Sequence, residues 1–471
     1  MGSLRHRSNV VQGQMTGAIF NMSWAKDAFF YHIYPLGFCG APKHNDYSLS
    51  ATPRLLKMLE WIEHIRAMGV NALLLGPLFE SISHGYDTVD HCRIDRRLGD
   101  GETFQQLTNC LHENGIKVVV DGVFNHVGRD FWAFKDVIAK KEQSEYVHWF
   151  GCVDFAARSP YDDPFNYEGW EGHYNLVKLN LKNPAVKNYI FSAVKEWIDL
   201  YDIDGIRLDV AYCLNINFMK ELAALCKAIK RDFWLMGEVI HGDYARWANP
   251  LLLDSVTNYE CYKGLYSSHN DKNYFEIAYS LNRQFGDKGI YKELLLYNFA
   301  DNHDVTRVGS IVNHPAYLYP LHALLFTMPG IPSIYYGSEW GIAGKKGCDS
   351  DEDLRPALDL TLVGKNSPNR DLVKAIIRFA RIRKEHKALR EGSYRQLLVR
   401  SQQYAFLRQT QDEAIVVIVN SSFQSASLEF EIPIGGLMLL DLVNHGEKFP
   451  VRNRKAYIQI PPCWTRILLV K

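Results

Sequence analysis

Apolar positions along the chain follow two alternating rhythms. Short, nearly continuous apolar runs of strand length lie at residues 28–38, 70–78, 116–123, 205–210, 233–239, 255–259, 294–299 and 332–336. Between them, apolar residues recur three or four apart at 55–69, 103–115, 184–201, 215–230, 275–285, 317–328 and 371–389. The first kind of run predicts buried strands and the second predicts amphipathic helices. Gly69 and Gly115 stand where two of these helices would stop. Strands alternating with helices predict parallel βα units, and eight such units close a (β/α)8 barrel.

The rhythm breaks twice. Residues 128–181 are rich in aromatics, Asp and Gly and carry no strand-helix unit. They read as an insertion after the third strand. From residue 392 onward helical spacing gives way to alternating runs at 403–408, 414–420, 426–432, 436–440 and 464–470. That predicts an all-β sandwich domain. The expected organisation is an α/β chain. It has a leader at 1–27, a TIM barrel at 28–127 and 182–391, an inserted domain at 128–181 and a C-terminal β-sandwich at 392–471.

Composition narrows the function. Of 471 residues 47% are hydrophobic and 23% charged, the profile of an ordinary globular chain. The formal net charge is zero, so nothing steers the protein toward nucleic acid or anionic lipid. No apolar stretch approaches the roughly 18 residues that span a membrane, and residues 1–14 lack a signal-like apolar core. The nine cysteines are odd in number and lack metal-ligand spacing. They are expected to be reduced thiols of a cytoplasmic protein, with no metal site among them.

Candidate chemistry gathers at strand ends. In Gly205-Ile206-Arg207-Leu208-Asp209 the charged residues alternate with apolar ones, so Arg207 and Asp209 share a face. Asp121, Glu238 and Asp304 also stand where an apolar run meets a loop, with His126 and His303 beside two of them. A barrel gathers its strand ends on one face, where chemistry sits. Several acids there with Arg and His between them suit a reaction that develops positive charge, such as the oxocarbenium-like transition state of glycoside cleavage.

These segments resemble, in order and spacing, the four signatures of the alpha-amylase superfamily of glycoside hydrolases. The four are Asp121-Gly122-Val123-Phe124-Asn125-His126, Gly205 to Asp209, Gly237-Glu238-Val239 and Phe299-Ala300-Asp301-Asn302-His303-Asp304. The segments Tyr167 to Gly172, Leu176 to Asn180 and Asp254 to Tyr259 are similar to the neopullulanase and cyclomaltodextrinase branch. The resemblance implies Asp209 as nucleophile, Glu238 as general acid/base and Asp304 as the group that holds substrate hydroxyls. It implies Arg207 as the cation that keeps Asp209 ionised, and His126, His303 and Tyr86 as sugar contacts. Asp121 would organise the site. Tyr212, Val239, Ile240 and His241 would flank the acceptor side.

Some positions depart from the branch. Val177 replaces a proline, Tyr212-Cys213 an Asn-Glu pair, and Ile240 a tryptophan. Only residues 1–27 precede the first expected strand, so the branch's N-terminal sandwich is not expected here. Asn125 matches a calcium-ligand asparagine, but Lys178-Leu179-Asn180 brings no matching acid, so no obligatory calcium is expected. No cofactor is implied. The substrate would be an oligosaccharide such as a maltodextrin, and oligomeric state stays open. A transglycosylase, an alpha-glucosidase or a phosphorylase would share every catalytic residue. A catalytically dead glucan-binding protein would be expected to have lost its acids, which this chain retains.

Overall fold

The computed structural model describes residues 24–347, 350–435 and 437–471. Residues 1–23 of the expected leader lie outside them. Eight parallel strands form the catalytic layer: β1 (Phe30–Ile33), β2 (Ala72–Leu75), β3 (Lys117–Gly122), β4 (Gly205–Leu208), β5 (Trp234–Gly237), β6 (Ser255–Val256), β7 (Tyr297–Phe299) and β8 (Ile331–Tyr335). Each pairs with its sequence neighbour, and β1 pairs with both β2 and β8. The parallel bridge Thr257–Tyr297 closes the ring between β6 and β7. Every strand residue but Lys117 is buried, as parallel strands covered on both faces require.

Alternation within each strand divides the apolar side chains into two sets. Phe30, Leu74, Val119, Trp234, Met236, Tyr297 and Ile331 pack together as one cluster. Tyr31, Leu73, Leu75, Val118, Val120 and Leu235 belong to the larger cluster shared with the surrounding helices. The barrel is therefore filled rather than hollow. Trp24–Asp27, expected to be leader, instead form a 3-10 turn at the barrel's base. There Trp24 packs 5.9 Å from both Phe30 and Trp234.

Several elements go beyond the sequence reading. The run at 28–38 is a short strand followed by the helix Pro35–Phe38, because Pro35 cannot extend the ladder but starts a helix well. The turn around residue 85 joins an antiparallel hairpin, Phe79–Ser81 with Thr88–Ile94. The helix Tyr259–Asn270 follows β6. The insertion holds the helix Trp132–Lys140 and a three-stranded sheet of His126–Gly128, Gly169–Trp170 and His173–Lys178. Its turn at Glu171-Gly172 meets Tyr212, on the loop after β4, through the Glu171 carboxylate.

The C-terminal unit has eight antiparallel strands, from Ser393–Val399 to Trp464–Val470. Ser393–Val399, Lys448–Arg452 and Lys455–Ile460 were not foreseen. Gly436, predicted to start a strand, lies outside the described residues, and that strand runs Met438–Asp441. Trp464 packs against Tyr319 and Phe379 of the barrel helices and donates to Asn444 at 2.7 Å. Its half-buried ring packs toward the barrel.

Candidate active site

The strand register builds the site. Pairing of β3 with β4 sets Asp121 beside Arg207, and pairing of β4 with β5 sets Arg207 beside Met236, two residues before Glu238. Asp209 follows β4 directly, Glu238 follows β5, and Asp304 follows β7 by five residues. All four acids therefore leave the same end of the barrel. Asp121, Arg207, Asp209 and Glu238 are buried, whereas the Asp304 side chain is 33% exposed.

Arg207 ties the acids together. Its Nη1 donates to both Asp121 oxygens, at 2.6 and 2.7 Å, and lies 3.4 Å from Asp209 Oδ1. Its Nη2 lies 3.0 Å from Glu238 Oε1. Arg207 favours the ionised form of Asp209, and two other influences oppose it. Burial first, and then the neighbouring Glu238 charge, push the Asp209 carboxyl well above the usual carboxylate range against the pull of Arg207. The arginine divides itself among three acids, and Asp209 receives its longest contact.

Glu238 is held by three donors. Beside Arg207, the Val210 amide donates to Oε2 at 3.0 Å and the Tyr259 hydroxyl reaches Oε1 at 3.4 Å. Val210 adopts a left-handed backbone, φ +40, which is costly for a β-branched residue. That conformation is what accompanies an amide aimed at the neighbouring strand's acid. Asn302 in turn donates to Tyr259 at 3.2 Å.

Asp304 sits in the opposite electrostatic setting. Burial works against its charge, but His303, by charge and hydrogen bond, and then Arg355 and Arg207, hold its carboxyl well below the usual range. His303 Nε2 lies 2.9 Å from Oδ2, and Arg355 Nη2 lies 2.9 Å from Oδ1. Tyr86 contacts His303 through its hydroxyl, donates to Asp121 at 3.0 Å, and stacks on the His303 ring at 5.5 Å. Tyr34 stacks on the other flank of His303 and carries the Arg355 guanidinium 4.6 Å over its ring. Environments that drive Asp209 and Asp304 apart in acidity are a mark of assigned roles among like groups.

His126 is buried, its Nδ1 meets the Asn125 amide at 3.2 Å, and its ring also meets the Tyr86 backbone. Burial lowers its pKa to about 3, so it stays neutral. Tyr212 is half-buried with its ring 6.3 Å from His241. Ile240 is 38% exposed and His241 is exposed. Val239 does not fit its expected place on the acceptor side: it is buried in the core and its amide donates to Thr257 at 2.9 Å. Alternation sends it inward when Glu238 and Ile240 point elsewhere.

Sequence reasoning missed Arg355, Tyr34 and Tyr259 as members of the site. Tyr259 and Asn302 stood inside quoted motifs without a role. Arg355 lies on a loop 51 residues beyond Asp304, and nothing in its local pattern marks it.

Most of the chain, residues 55–371, matches the family model for the alpha-amylase catalytic domain. The chain belongs to the alpha-amylase family. Residues 394–466 of this glycoside hydrolase match the maltogenic amylase C-terminal domain. It is 32% identical over 475 residues to neopullulanase 2 of Thermoactinomyces vulgaris, covering 94% of this chain and 78% of that protein. It is 30% identical over 462 residues to a cyclomaltodextrinase of Thermoanaerobacter pseudethanolicus, covering 93% and 78%. Among solved structures, the cyclic alpha-maltosyl-(1→6)-maltose hydrolase of Arthrobacter globiformis aligns with TM-score 0.80 at 28% identity, over 95% of this chain and all of that one. No described helix is long and apolar enough to cross a membrane.

Asn125 is the residue that matches a calcium ligand of the family. The Asn125 side chain is turned to His126, and its backbone oxygen accepts from Leu179 at 3.0 Å. Lys178 pairs with Glu168. Calcium wants six to eight oxygens, and among the described residues no group of three His, Cys, Asp or Glu is arranged for a metal. The residues do not fit a calcium ion there.

Proposed function

We propose that this alpha-amylase family enzyme is a retaining hydrolase of the alpha-1,4 bonds of maltooligosaccharides and maltodextrins. The observation that carries the reading is the single Arg207 guanidinium shared by Asp121, Asp209 and Glu238 at the barrel's C-terminal face. Asp209 and Glu238 share that cation, and the reaction needs one of them as carboxylate and the other as acid.

In the first step the Asp209 carboxylate attacks the anomeric carbon while the C–O bond to the leaving sugar breaks. The Glu238 proton passes to the leaving oxygen. This gives a glycosyl ester on Asp209 and a free sugar. In the second step Glu238 takes a proton from water, whose oxygen attacks the anomeric carbon and displaces Asp209. Two inversions leave the configuration retained. Asp304, kept ionised by His303 and Arg355, accepts hydroxyl hydrogen bonds from the ring that carries the developing charge. Tyr86 and His126 line the same sugar's side of the cleft.

A sugar acceptor in place of water would make the enzyme a transglycosylase with the same residues. Ile240, an exposed apolar side chain three residues from the Tyr212–His241 pair's histidine-bearing loop start at Gly237, supports that second outcome, because apolar surface there disfavours ordered water. The catalytic cycle as proposed uses no calcium. The eight described cysteines are free thiols, which suits a reducing, cytoplasmic setting.

Product analysis on maltotriose, maltoheptaose and a cyclodextrin, with and without excess glucose, tests the reading. Short maltooligosaccharides released with retained anomeric configuration support it. Inverted products, or no turnover of any alpha-glucan, contradict it.

A further inference from the structure

The proposed mechanism leaves one acid at the cleft unused. Glu171 stands at the turn between Gly169–Trp170 and His173–Lys178 of the insertion. Its side chain is exposed, and among the described residues it makes no ion pair. Its backbone is left-handed, φ +47, followed by Gly172 at φ +86. A glutamate in that conformation stores strain, and glycine would suit the position better. Burial does not explain it, since the turn is in solvent.

What the turn achieves is placement. Tyr212, three residues past Asp209, donates its hydroxyl to Glu171 Oε1 at 3.3 Å. That tyrosine's other neighbour is the His241 ring, three residues past Glu238. Glu171 is thereby held over the loops that carry both proposed catalytic carboxyls. The sugar-holding group of Tyr86, His303, Asp304, Arg355 and Tyr34 lies on the loops after β1, β2, β7 and β8. The loops after β4 and β5 form the other side, where the hydrolase reading puts the leaving or accepting sugar.

We propose that Glu171 is a sugar-binding carboxylate of the acceptor side, delivered by the insertion and aimed by the Tyr212 hydroxyl. A carboxylate accepts hydrogen bonds from neighbouring sugar hydroxyls, and charge-assisted bonds are about twice as strong as neutral ones. Glu171 is then a specificity residue and Tyr212 its positioning residue. The inference rests on the hydrolase reading above.

The test compares kcat/KM for maltotriose, whose leaving group is a sugar, with that for p-nitrophenyl alpha-maltoside, whose leaving group offers no hydroxyls to Glu171. In Glu171→Ala the maltotriose-to-aryl ratio falls about tenfold, the scale of one charge-assisted hydrogen bond. The loss lies in KM. Glu171→Gln, which keeps the shape and an acceptor for Tyr212, recovers only part of it. Tyr212→Phe lowers the ratio less, and the double variant Glu171→Ala with Tyr212→Phe falls no further than Glu171→Ala alone. A wild-type ratio in Glu171→Ala overturns the proposal. So does full recovery in Glu171→Gln, which would reduce the contact to a clasp. An Asp209→Asn variant run alongside separates the two readings. If it turns over the aryl maltoside, the hydrolase assignment fails; if it is inactive and the Glu171 ratios do not move, only the Glu171 assignment fails.

Discussion

Arg207 donates through one nitrogen to both oxygens of Asp121, at 2.6 and 2.7 Å, and this is the shortest ion pair in the site's core. The acid on β3 is thus the anchor of the arginine on β4. Both are buried, so neither charge has water to fall back on. Removing one partner of such a pair leaves the other poorly compensated.

Asp121→Asn is therefore expected to act twice. It destabilises the fold by about 2–3 kcal/mol, less than a fully orphaned buried charge because Glu238 and Asp209 remain beside Arg207. It also frees Arg207 to move onto those two acids, and kcat falls by about 10². Denaturant unfolding and steady-state kinetics on maltotriose check both effects. Native stability with native kcat would show that Asp121 anchors nothing.

Asp209 behaves in the opposite sense. Its carboxyl is pushed up by burial and by Glu238, so its ionised form is a cost to the fold. A group whose folded pKa is raised above its unfolded value of 3.8 holds an extra proton in the folded state. Its contribution is present below the unfolded value and is lost as pH rises through the folded one. Asp209→Asn is expected to raise the melting temperature at neutral pH while lowering turnover by about 10⁴-fold or more. Calorimetry and kinetics on one preparation decide it. A variant less stable than the parent would contradict the electrostatic description.

Buried histidines set the acid limb of stability. His126 is lowered to about 3, and His269 and His322 to about 4, in each case by burial first. The unfolded chain binds these protons near 6.5 and the folded chain does not. Between those values the unfolded state holds more protons, so stability rises with pH there and is lost as pH falls below 6.5. His322→Gln should flatten this limb, measured as the slope of unfolding free energy against pH from 6.5 to 4. An unchanged slope would mean that His322 is protonated in the fold.

Chelation gives a further check. With Asn125 turned to His126 and Lys178 paired to Glu168, the oxygens for a calcium ion are not assembled. Treatment with a chelator is expected to leave both activity and melting temperature where they were. A loss restored by calcium alone would contradict this.

Much of this was legible in the chain because barrel strands are buried on both faces. Runs such as 116–123 and 233–239 then read as apolar blocks, and each holds its acid, Asp121 or Glu238, near its C-terminal end. The helix Tyr259–Asn270 escaped because its buried face includes Gly264, Ser267, Ser268 and His269, so no apolar stripe appears. The hairpin Phe79–Ser81 with Thr88–Ile94 was hidden by the polar turn between its strands and by bulges that break its alternation. Lys455–Ile460 alternates in burial, but the outward-facing Tyr457 makes Ala456-Tyr457-Ile458 a continuous apolar run and hides the alternation. The site was legible where a residue ends a strand. Arg355 and Glu171 were not, because they reach the cleft from loops whose position depends on packing far away in sequence.

In the proposed cycle a sugar becomes bonded to Asp209. The direct measurement is peptide mass spectrometry after incubation with a 5-fluorinated maltosyl fluoride, which forms the ester quickly and releases it slowly. A maltosyl-derived mass on the peptide containing Asp209, absent when Asp209→Asn is treated likewise, is the predicted result. A label on any other residue, or turnover with no covalent adduct and inverted product, would contradict the account.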